Sequence, residues 1–492
     1  MRGLLCLLSG FLLALPYLNG RLWFFAWVAF LPLFSALKGA HWRKAFLFSL
    51  LAGIIFWSGT IYWLIHVTLP GMIVLILYLS LYFGLFGMII ARYKILDTRY
   101  SLLFIPALWV ALEFIRGNLF TGFPWALLGY SQYLNLPAIQ IADITGAWGV
   151  SFLVMMVNIT VYSILDARYS VLAGKRKYLT TVLAVVVVLI YGYYRIYHRP
   201  HAARRRPYKI SVVQGNIPQA LKWDRPSRDL IMDKYLGLSG EAARPKPDLI
   251  IWPEAAMPVV LEEEPAYIER VRGFAKEIDT PLVLGALTTR DDLYYNSALL
   301  ISAEGRILGK YDKLHLVPFG EYIPLRGVFS LLEAIVPIGD FVEGEDFTVF
   351  SLDQLSFSVL ICFEDLFPEL ARGFVKRGAG FLINITNDAW FGNTASPYQH
   401  LAASVLRAVE NRRHLVRAAN TGVSGFISPL GEILSLVQDQ DGRVLFIDGF
   451  IDQSIEPSVR INSFYTRFGD IFILACFLLS LYVIVSRLKR EE

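Results

Sequence analysis

Long apolar runs are confined to the two ends of the chain. A helix needs roughly 20 residues to cross a bilayer core of about 30 Å. Eight runs approach or exceed this length, at about 3–18, 22–37, 45–65, 71–91, 102–117, 145–166, 179–196 and 468–486. The first follows Arg2 like a signal peptide, but it lacks a small-residue cleavage site and leads directly into the second run. The pattern predicts a membrane α-helical bundle of about eight helices, with seven in a domain over 1–197 and one over 468–487.

The middle of the chain alternates short apolar runs with amphipathic ones. Runs rich in β-branched and apolar residues predict buried strands at 208–215, 248–254, 280–287, 294–302, 355–362, 380–386 and 414–420. Amphipathic stretches predict helices at 228–240, 265–278, 367–378 and 398–413. This alternation is typical of an α/β domain with helices packed on the faces of its sheet.

Composition agrees with a membrane protein that carries a polar domain. Of 492 residues, 55% are hydrophobic and 18% are charged, which is too apolar for most soluble proteins and too charged for a chain buried throughout in lipid. The net charge of +5 comes mostly from basic residues beside the apolar runs. Because these residues do not cluster on the polar domain, we expect no nucleic-acid partner.

The basic residues also predict the orientation in the membrane. They occupy alternate connections between the apolar runs, as Lys38, Arg43 and Lys44, then Arg92, Lys94 and Arg99, then Arg168, Lys175, Arg176 and Lys177, and finally Arg487, Lys489 and Arg490. The other short connections hold only Arg21 and Arg116. The positive-inside rule therefore places both termini in the cytoplasm and the α/β domain on the far side of the membrane.

One cysteine falls in the predicted α/β domain. Cys6 and Cys476 lie in predicted membrane helices, so Cys362 has no partner for a disulfide within its own domain. An unpaired thiol in an oxidising compartment is a liability unless it is buried or used. Cys362 is therefore either a small apolar residue of a strand or a functional thiol.

Polar side chains follow several of the predicted strands, where function concentrates in such folds. Glu254 follows the second strand, Lys313 follows the strand-like GRILGKY, and Cys362 ends VLIC. A thiol, a carboxylate that takes its proton and an ammonium that stabilises an oxyanion suit nucleophilic acyl transfer. Taken singly, the glutamate could be a surface group or a helix cap, and Lys313 could pair with Asp312.

Four motifs in order resemble the nitrilase, or carbon–nitrogen hydrolase, superfamily: IWPEAA, KYDKLHLVPFGEYIP, ICFEDLFPE and NDAWFG. The resemblance implies an αββα sandwich over about 207–455. It also implies that Glu254 is the general base, Lys313 the oxyanion-stabilising lysine and Cys362 the nucleophile, with Glu321 as an additional glutamate beside them.

Together with the membrane helices, the chain resembles the bacterial apolipoprotein N-acyltransferase family. QGNIPQALKW with Trp223, and Glu364 two residues after the cysteine, also match that family's pattern, although Glu364 could simply cap a helix. The resemblance implies acyl transfer from a phospholipid, with phosphatidylethanolamine as the expected donor, to a diacylated apolipoprotein. It implies a monomer in the bacterial inner membrane with a periplasmic catalytic domain. It implies no cofactor and no metal.

Two other functions remain open. A membrane-anchored amidase or nitrilase would share the acylation step and use water as the second nucleophile, although one helix would suffice as its anchor. A transporter or scaffold would use the α/β domain only for binding. Transport sites usually show ionisable or broken helices at the bilayer midplane, and the charges in these apolar runs are few and near helix ends.

The apolar stretch 323–342, IPLRGVFSLLEAIVPIGDFV, directly follows Glu321. It is either an ordinary buried segment or an arm over the site whose apolar side chains enter lipid and admit acyl chains. The arm would use Val328, Phe329, Leu331, Leu332, Ile335 and Val336.

The arm hypothesis predicts the effect of two charges in this stretch. In a double variant, Phe329→Asp and Ile335→Asp, we expect acyl transfer to fall at least about tenfold because charged groups resist entry into lipid. Thermal unfolding and iodoacetamide labelling of Cys362 should stay unchanged. Full transfer activity in the double variant would exclude the arm.

Overall fold

The computed structural model describes residues 1–98, 100–166, 171–198, 206–322, 341–457 and 462–489. The chain divides into two compact units. The helical unit comprises Met1–Arg199, Thr394–Glu410 and Ser463–Glu492, and the sheet unit comprises Pro200–Asn393 and Asn411–Asn462. The domain bounds drawn from the sequence remain predictions.

The helical unit contains most of the apolar runs as helices. Its α-helices are Arg2–Leu18, Leu31–Leu37, Trp42–Thr60, Leu69–Arg92, Ser101–Asn118, Leu136–Ile139, Ala142–Thr145, Ala147–Leu165, Val171–Tyr197, Ser396–Asn411 (to residue 410), Phe464–Phe468 and Ile471–Leu488. Its 3₁₀ helices are Gly20–Trp27, Tyr62–His66, Ile95–Asp97 and Leu128–Gln132. The second predicted span is thus broken into a 3₁₀ helix and a short α-helix.

Six helical segments in the described ranges are long and apolar enough to cross a membrane. They are Gly20–Leu37, Leu69–Arg92, Ser101–Asn118, Ala147–Leu165, Tyr178–Tyr197 and Ile471–Leu488. The apolar helix Arg2–Leu18 is shorter. The protein is therefore a membrane protein with several apolar helices, and the count of about eight spans remains a prediction.

Small residues let two helices of the helical unit, Trp42–Thr60 and Leu69–Arg92, approach closely. A Cβ on Gly53 would lie 2.9 Å from the Cβ of Phe83, and one on Gly87 would overlap the hydroxyl of Ser49. Helices in lipid gain little from burying apolar surface, so close van der Waals packing at small residues holds them together. The glycines at these positions therefore fix the contact between Trp42–Thr60 and Leu69–Arg92.

Non-helical backbone inside the helical unit is satisfied by two buried charged side chains of Ser101–Asn118. Glu113 accepts a hydrogen bond from the backbone N–H of Leu128 at 2.6 Å. Arg116 donates through Nη1 to the carbonyl oxygens of Phe123 at 2.6 Å and Trp125 at 2.8 Å. Unpaired backbone groups are costly away from water, so these contacts allow a buried turn there.

The helix Ser396–Asn411 lies between two strands in sequence, yet its residues up to 410 belong to the helical unit. Its Gln399 is 6% exposed. The Gln399 side-chain oxygen accepts from the indole N–H groups of Trp63 at 3.1 Å and Trp125 at 2.6 Å. Its nitrogen donates to the carbonyl oxygens of Tyr17 and Thr60, both at 2.9 Å. One amide thus joins four separate segments of the helical unit.

The sheet unit contains two six-stranded sheets. The strands are β1 (Tyr208–Gln214), β2 (Leu249–Ile251), β3 (Leu282–Arg290), β4 (Leu293–Ile301), β5 (Ile307–Asp312), β6 (Phe350–Leu352), β7 (Leu355–Ile361), β8 (Phe381–Thr386), β9 (Leu415–Ala419), β10 (Gly425–Ile427), β11 (Ile433–Leu436) and β12 (Gly449–Ile455). The orders are β12-β1-β2-β3-β4-β5 and β11-β10-β9-β8-β7-β6. All seven strands predicted from apolar runs are confirmed, as is the strand-like segment before Lys313.

Helices cover the sheets of this unit as predicted for an α/β domain. Arg228–Ala243 packs on β1, β2 and β12, and it shares one apolar core with Pro265–Ile278 and the first sheet. Pro368–Lys376 packs on β7 of the second sheet, and the two sheets meet through β1 and β9 and through β4 and β7. The short helix Gln219–Lys222 and 3₁₀ helices at Arg225–Ser227, Cys362–Leu366 and Asp388–Phe391 follow strand ends.

The Gln399 contacts predict a stability effect. Gln399→Leu would leave two indole N–H groups and two carbonyl oxygens unpaired, at about 1–3 kcal/mol for each group that finds no other partner. We expect the purified protein in detergent to unfold at least about 5 °C lower. Tyr398→Phe, at a 40% exposed neighbour on the same helix, is the matched control. Equal melting temperatures for the two variants would contradict the assigned role.

Candidate active site

Three strand ends of the sheet unit carry the predicted catalytic side chains. Glu254 lies three residues after β2, and Lys313 directly follows β5, both in the first sheet. Cys362 directly follows β7, in the second sheet. The site is therefore built from both layers of the sandwich, and its geometry depends on how the two sheets pack.

A buried network joins Glu254, Lys313 and Glu321. The Lys313 ammonium is 2.9 Å from Glu321 and 3.9 Å from Glu254 Oε1. Asn296 on β4 donates through Nδ2 to Glu254 Oε1 at 2.8 Å and to Glu321 Oε1 at 2.9 Å. These residues are all at most 9% exposed. One amide thus fixes the spacing of the two carboxylates around a single ammonium.

Glu321 is held by its own turn. Its backbone N–H donates to the Val317 carbonyl at 2.9 Å, and its Oε2 accepts from the Val317 N–H at 2.8 Å. The carboxylate therefore cannot swing away from Lys313 without breaking a backbone contact. The described part of this motif, PFGEY at 318–322, forms the turn, in which the Phe319 N–H donates to the Tyr322 carbonyl at 2.8 Å.

The surrounding carboxylates keep Lys313 charged. Burial alone would lower the pKa of its ammonium, but Glu321 and then Glu254 raise the pKa above its usual range. An ammonium that stays protonated at every physiological pH is suited to stabilising negative charge on a reacting oxygen.

Cys362 is half-buried and has a φ of +53°, in the left-handed region that residues with a Cβ seldom adopt. Asn384 Nδ2 holds it there by donating to the Cys362 carbonyl at 3.0 Å. Burial raises the pKa of the thiol above its usual range and Glu254 adds to this rise, whereas Lys313 and a hydrogen bond with Thr386 oppose it. The resting group is therefore a thiol with a carboxylate close enough to affect its ionisation.

Glu364 organises the backbone around the cysteine. Its Oε1 accepts from the Tyr311 hydroxyl at 2.8 Å and from the N–H groups of Leu314 at 2.7 Å and His315 at 3.1 Å, and its Oε2 accepts from the Ile361 N–H at 2.7 Å. Burial nevertheless raises the pKa of Glu364 to about 7. The carboxylate ties the segment after Lys313 to the segment before Cys362, and its Ile361 contact caps the 3₁₀ helix there.

Asp365, the next acid, is paired away from the thiol. Arg417 on β9 donates through Nη1 to Asp365 Oδ2 at 3.0 Å and to Asn384 Oδ1 at 2.9 Å. All three side chains are buried. This chain of contacts connects the Cys362 carbonyl, through Asn384, to a buried ion pair of the second sheet.

The supporting role of Trp223 and the proposed arm both remain untested. Trp223 is 44% exposed, and within the described ranges it makes no described contact with Glu254, Lys313 or Cys362, so its supporting role remains a prediction. The proposed arm residues Val328, Phe329, Leu332 and Ile335, with the rest of 323–340, lie outside the described residues. Among the described residues, no cluster of His, Cys, Asp and Glu could hold a metal ion.

Sequence reasoning missed Asn296, Tyr311 and Lys222. Asn296 is the polar residue inside the apolar strand YYNSALLI, and Tyr311 lies within the motif that contains Lys313. Lys222 directly precedes Trp223 and, unlike that exposed tryptophan, is buried, with 2% exposed. A polar residue where a strand pattern predicts a buried position was the available signal for Asn296.

The four contacts of Glu364 predict a structural and chemical effect. In Glu364→Gln an amide replaces the carboxylate among four donors, so at least one donor loses its acceptor at about 1–3 kcal/mol. We expect unfolding to begin about 5 °C lower and the rate of Cys362 alkylation by iodoacetamide to change. Glu369→Gln, at an exposed acid on the following helix, is the control and should change neither. Wild-type behaviour of Glu364→Gln would refute the organising role.

Comparisons with known proteins agree with this architecture. The family described as apolipoprotein N-acyltransferase N-terminal domain matches residues 9–160, and the family described as carbon–nitrogen hydrolase matches residues 209–448. The apolipoprotein N-acyltransferase of Geobacter metallireducens is 38% identical over 494 residues, which cover 96% of this chain and 92% of that protein. The proteins of the same name from Pasteurella multocida and Brucella suis are 30% and 35% identical, over 98% and 77% of this chain and 94% and 72% of theirs. The chain therefore belongs to the apolipoprotein N-acyltransferase family.

Proposed function

We propose that this protein transfers a fatty acyl chain from a phospholipid to the α-amine of an N-terminal diacylglyceryl-cysteine in a lipoprotein, through a thioester on Cys362. The observation that carries the proposal is the buried Glu254–Lys313–Glu321 network near the strand-end thiol of Cys362, whose pKa burial and Glu254 raise and Lys313 lowers. Membership of the family supports the substrates. The six apolar helical segments that are long enough to span a bilayer, counted over the described residues, support a membrane-borne acyl donor.

In the first half-reaction, Cys362 attacks the ester carbonyl of the phospholipid. Because burial and Glu254 disfavour a resting thiolate, the Sγ proton passes to Glu254 as the new C–S bond forms. The carbonyl oxygen becomes negatively charged, and the Lys313 ammonium stabilises it. When the tetrahedral intermediate collapses, the glycerol oxygen leaves with the proton from Glu254, so a lysophospholipid departs and a thioester remains.

In the second half-reaction, the lipoprotein amine attacks the thioester carbonyl. The amine must be neutral to attack, and Glu254, now a carboxylate again, accepts the proton that it loses as the C–N bond forms. Lys313 again stabilises the oxyanion, and collapse breaks the C–S bond. Cys362 recovers a proton from Glu254, which returns the site to its starting state with no net proton change in the enzyme.

Glu321 and Asn296 act by positioning. Glu321 keeps the ammonium of Lys313 in place and charged, and Asn296 holds both carboxylates at fixed distances from it. Glu364 sets the backbone on either side of the reacting groups. We propose no direct contact of these three residues with the substrates.

The proposed setting is the bacterial inner membrane, with both termini in the cytoplasm and the catalytic domain in the periplasm. This orientation rests on the basic short connections described above. Phosphatidylethanolamine is the proposed donor, the diacylated apolipoprotein is the acceptor, and the working form is a monomer. The stretch 323–342 remains the proposed route by which acyl chains enter.

The thioester predicts a measurable mass change. After incubation with phosphatidylethanolamine, intact-mass analysis should show a gain of one fatty acyl chain that hydroxylamine removes. The hydroxylamine-labile gain should be absent in Cys362→Ser, and in Glu254→Gln it should form roughly 100-fold or more slowly, because the base is lost. Adding a diacylated lipopeptide should then move the acyl chain to the peptide amine.

Other outcomes would decide against the proposal. If no adduct formed while small amides were hydrolysed, the protein would be a membrane-anchored amidase. If folded protein showed neither activity, the cysteine would have only a packing role.

A further inference from the structure

A second lysine is buried next to the candidate site. Lys222 ends the short helix Gln219–Lys222 and is 2% exposed. Its Nζ donates to the backbone carbonyl oxygen of Glu254 at 3.0 Å. Lysine is almost never fully buried without a specific partner, and the mechanism above gives Lys222 no role.

The Glu254 backbone needs such support. Ala255, the next residue, has a φ of +44°, which is strained for a residue with a Cβ. A Cβ on Gly285 would lie 2.6 Å from both the Cα of Glu254 and the nitrogen of Ala255, so only glycine fits against this turn. The peptide that follows Glu254 thus lies close to Gly285 and accepts a hydrogen bond from the Lys222 ammonium at its carbonyl oxygen.

The segment that carries Lys222 is itself tied to the second sheet. Asn420, just after β9, donates through Nδ2 to the Ile217 carbonyl at 2.7 Å and accepts through Oδ1 from the Ile217 N–H at 2.8 Å. Asn387, just after β8, donates to Gln219 Oε1 at 2.8 Å. Lys222 therefore links the Glu254 turn of the first sheet to the strand ends beside Cys362 in the second.

The charged and titratable groups that face Lys222 are Glu254 and Cys362, and Lys313 lies beyond Glu254. Burial lowers the pKa of Lys222 to about 8, and the Glu254 carboxylate opposes this change. The Lys222 ammonium is therefore present below about pH 8 and is lost above it. Lys313 differs, because its two carboxylates keep it charged throughout this range.

We propose that Lys222 is a positioning residue that holds the backbone carbonyl of Glu254 and supplies a second positive charge to the site. The inference rests on the proposed function, since it assigns Glu254 and Cys362 their roles there. Its charge would favour the thiolate that develops during attack. Above about pH 8 the neutral amine would keep the hydrogen bond but lose this electrostatic effect.

The test compares wild type, Lys222→Met, Lys222→Arg and the exposed-site control Lys276→Met between pH 6.5 and 9.5. Two rates are measured in the full-length protein: thioester formation from phosphatidylethanolamine in mixed micelles, and alkylation of Cys362 by iodoacetamide. We expect Lys222→Met to form thioester about tenfold more slowly than wild type at pH 7. The ratio of the wild-type rate to the Lys222→Met rate should fall as the pH rises above 8. Lys222→Arg, which stays charged, should outpace wild type above pH 8.

Each remaining outcome is decisive. If the ratio of the wild-type rate of thioester formation to the Lys222→Met rate equals one, or stays constant over the pH range, the proposal is overturned. A side chain that acts only by packing would not make this ratio depend on pH. If Lys222→Met fails to fold, the comparison of Lys222→Arg with wild type above pH 8 tests the proposal. Identical pH profiles of thioester formation in these two proteins would overturn the proposal. If wild type forms no thioester, the proposed function fails, while the alkylation profiles still test the charge of Lys222.

Discussion

The arrangement of the site depends on burying one ammonium between two carboxylates. Lys313, Glu254 and Glu321 are each almost inaccessible to water, and a buried charge is tolerated only when it is paired and hydrogen-bonded. Lys313 pairs with Glu321 at contact distance and with Glu254 at 3.9 Å, and Asn296 donates to both acids. Removing the ammonium would leave two buried carboxylates without the charge that compensates them. The positions of β2, β4 and β5 are therefore linked through polar contacts as well as through the ladder of the sheet.

The same burial would protect Cys362, the proposed nucleophile, in the proposed periplasmic location. The thiolate is the form that oxidants and alkylating agents attack, and burial together with Glu254 keeps Cys362 as a thiol at rest. In the proposed mechanism the proton acceptor, Glu254, also raises the thiol pKa, so deprotonation becomes favourable only when an electrophile develops negative charge near Lys313. In this mechanism Glu254 protects the resting Cys362 thiol, and Glu254 and Lys313 together activate it.

Much of the fold followed from the sequence because apolar periodicity reports burial directly. The strands β1, β2, β3, β4, β7, β8 and β9, and the four amphipathic helices, were predictable in this way. β10, with three residues, is too short for a pattern, and Asp452 and Gln453 interrupt the apolar residues of β12. Hydropathy also could not show that the helix around Gln399 belongs to the helical unit, because its contacts are hydrogen bonds to tryptophans and carbonyls distant in sequence. The residues of the predicted triad came from motifs, whereas Asn296 and Lys222 are defined by what they contact.

Strained backbone at the site depends on the same kind of contact. Ala255, Phe319 and Cys362 all have positive φ beside residues of the candidate site, a conformation that persists only where the surroundings impose it. Lys222 holds the carbonyl before Ala255, and Asn384 holds the carbonyl of Cys362. Side chains that bind backbone carbonyls also fix the helical unit, through Arg116 and Gln399. In both units, polar side chains take the place of water as hydrogen-bond partners of the buried irregular backbone. The conformation of the site therefore depends on how rigidly those side chains are held.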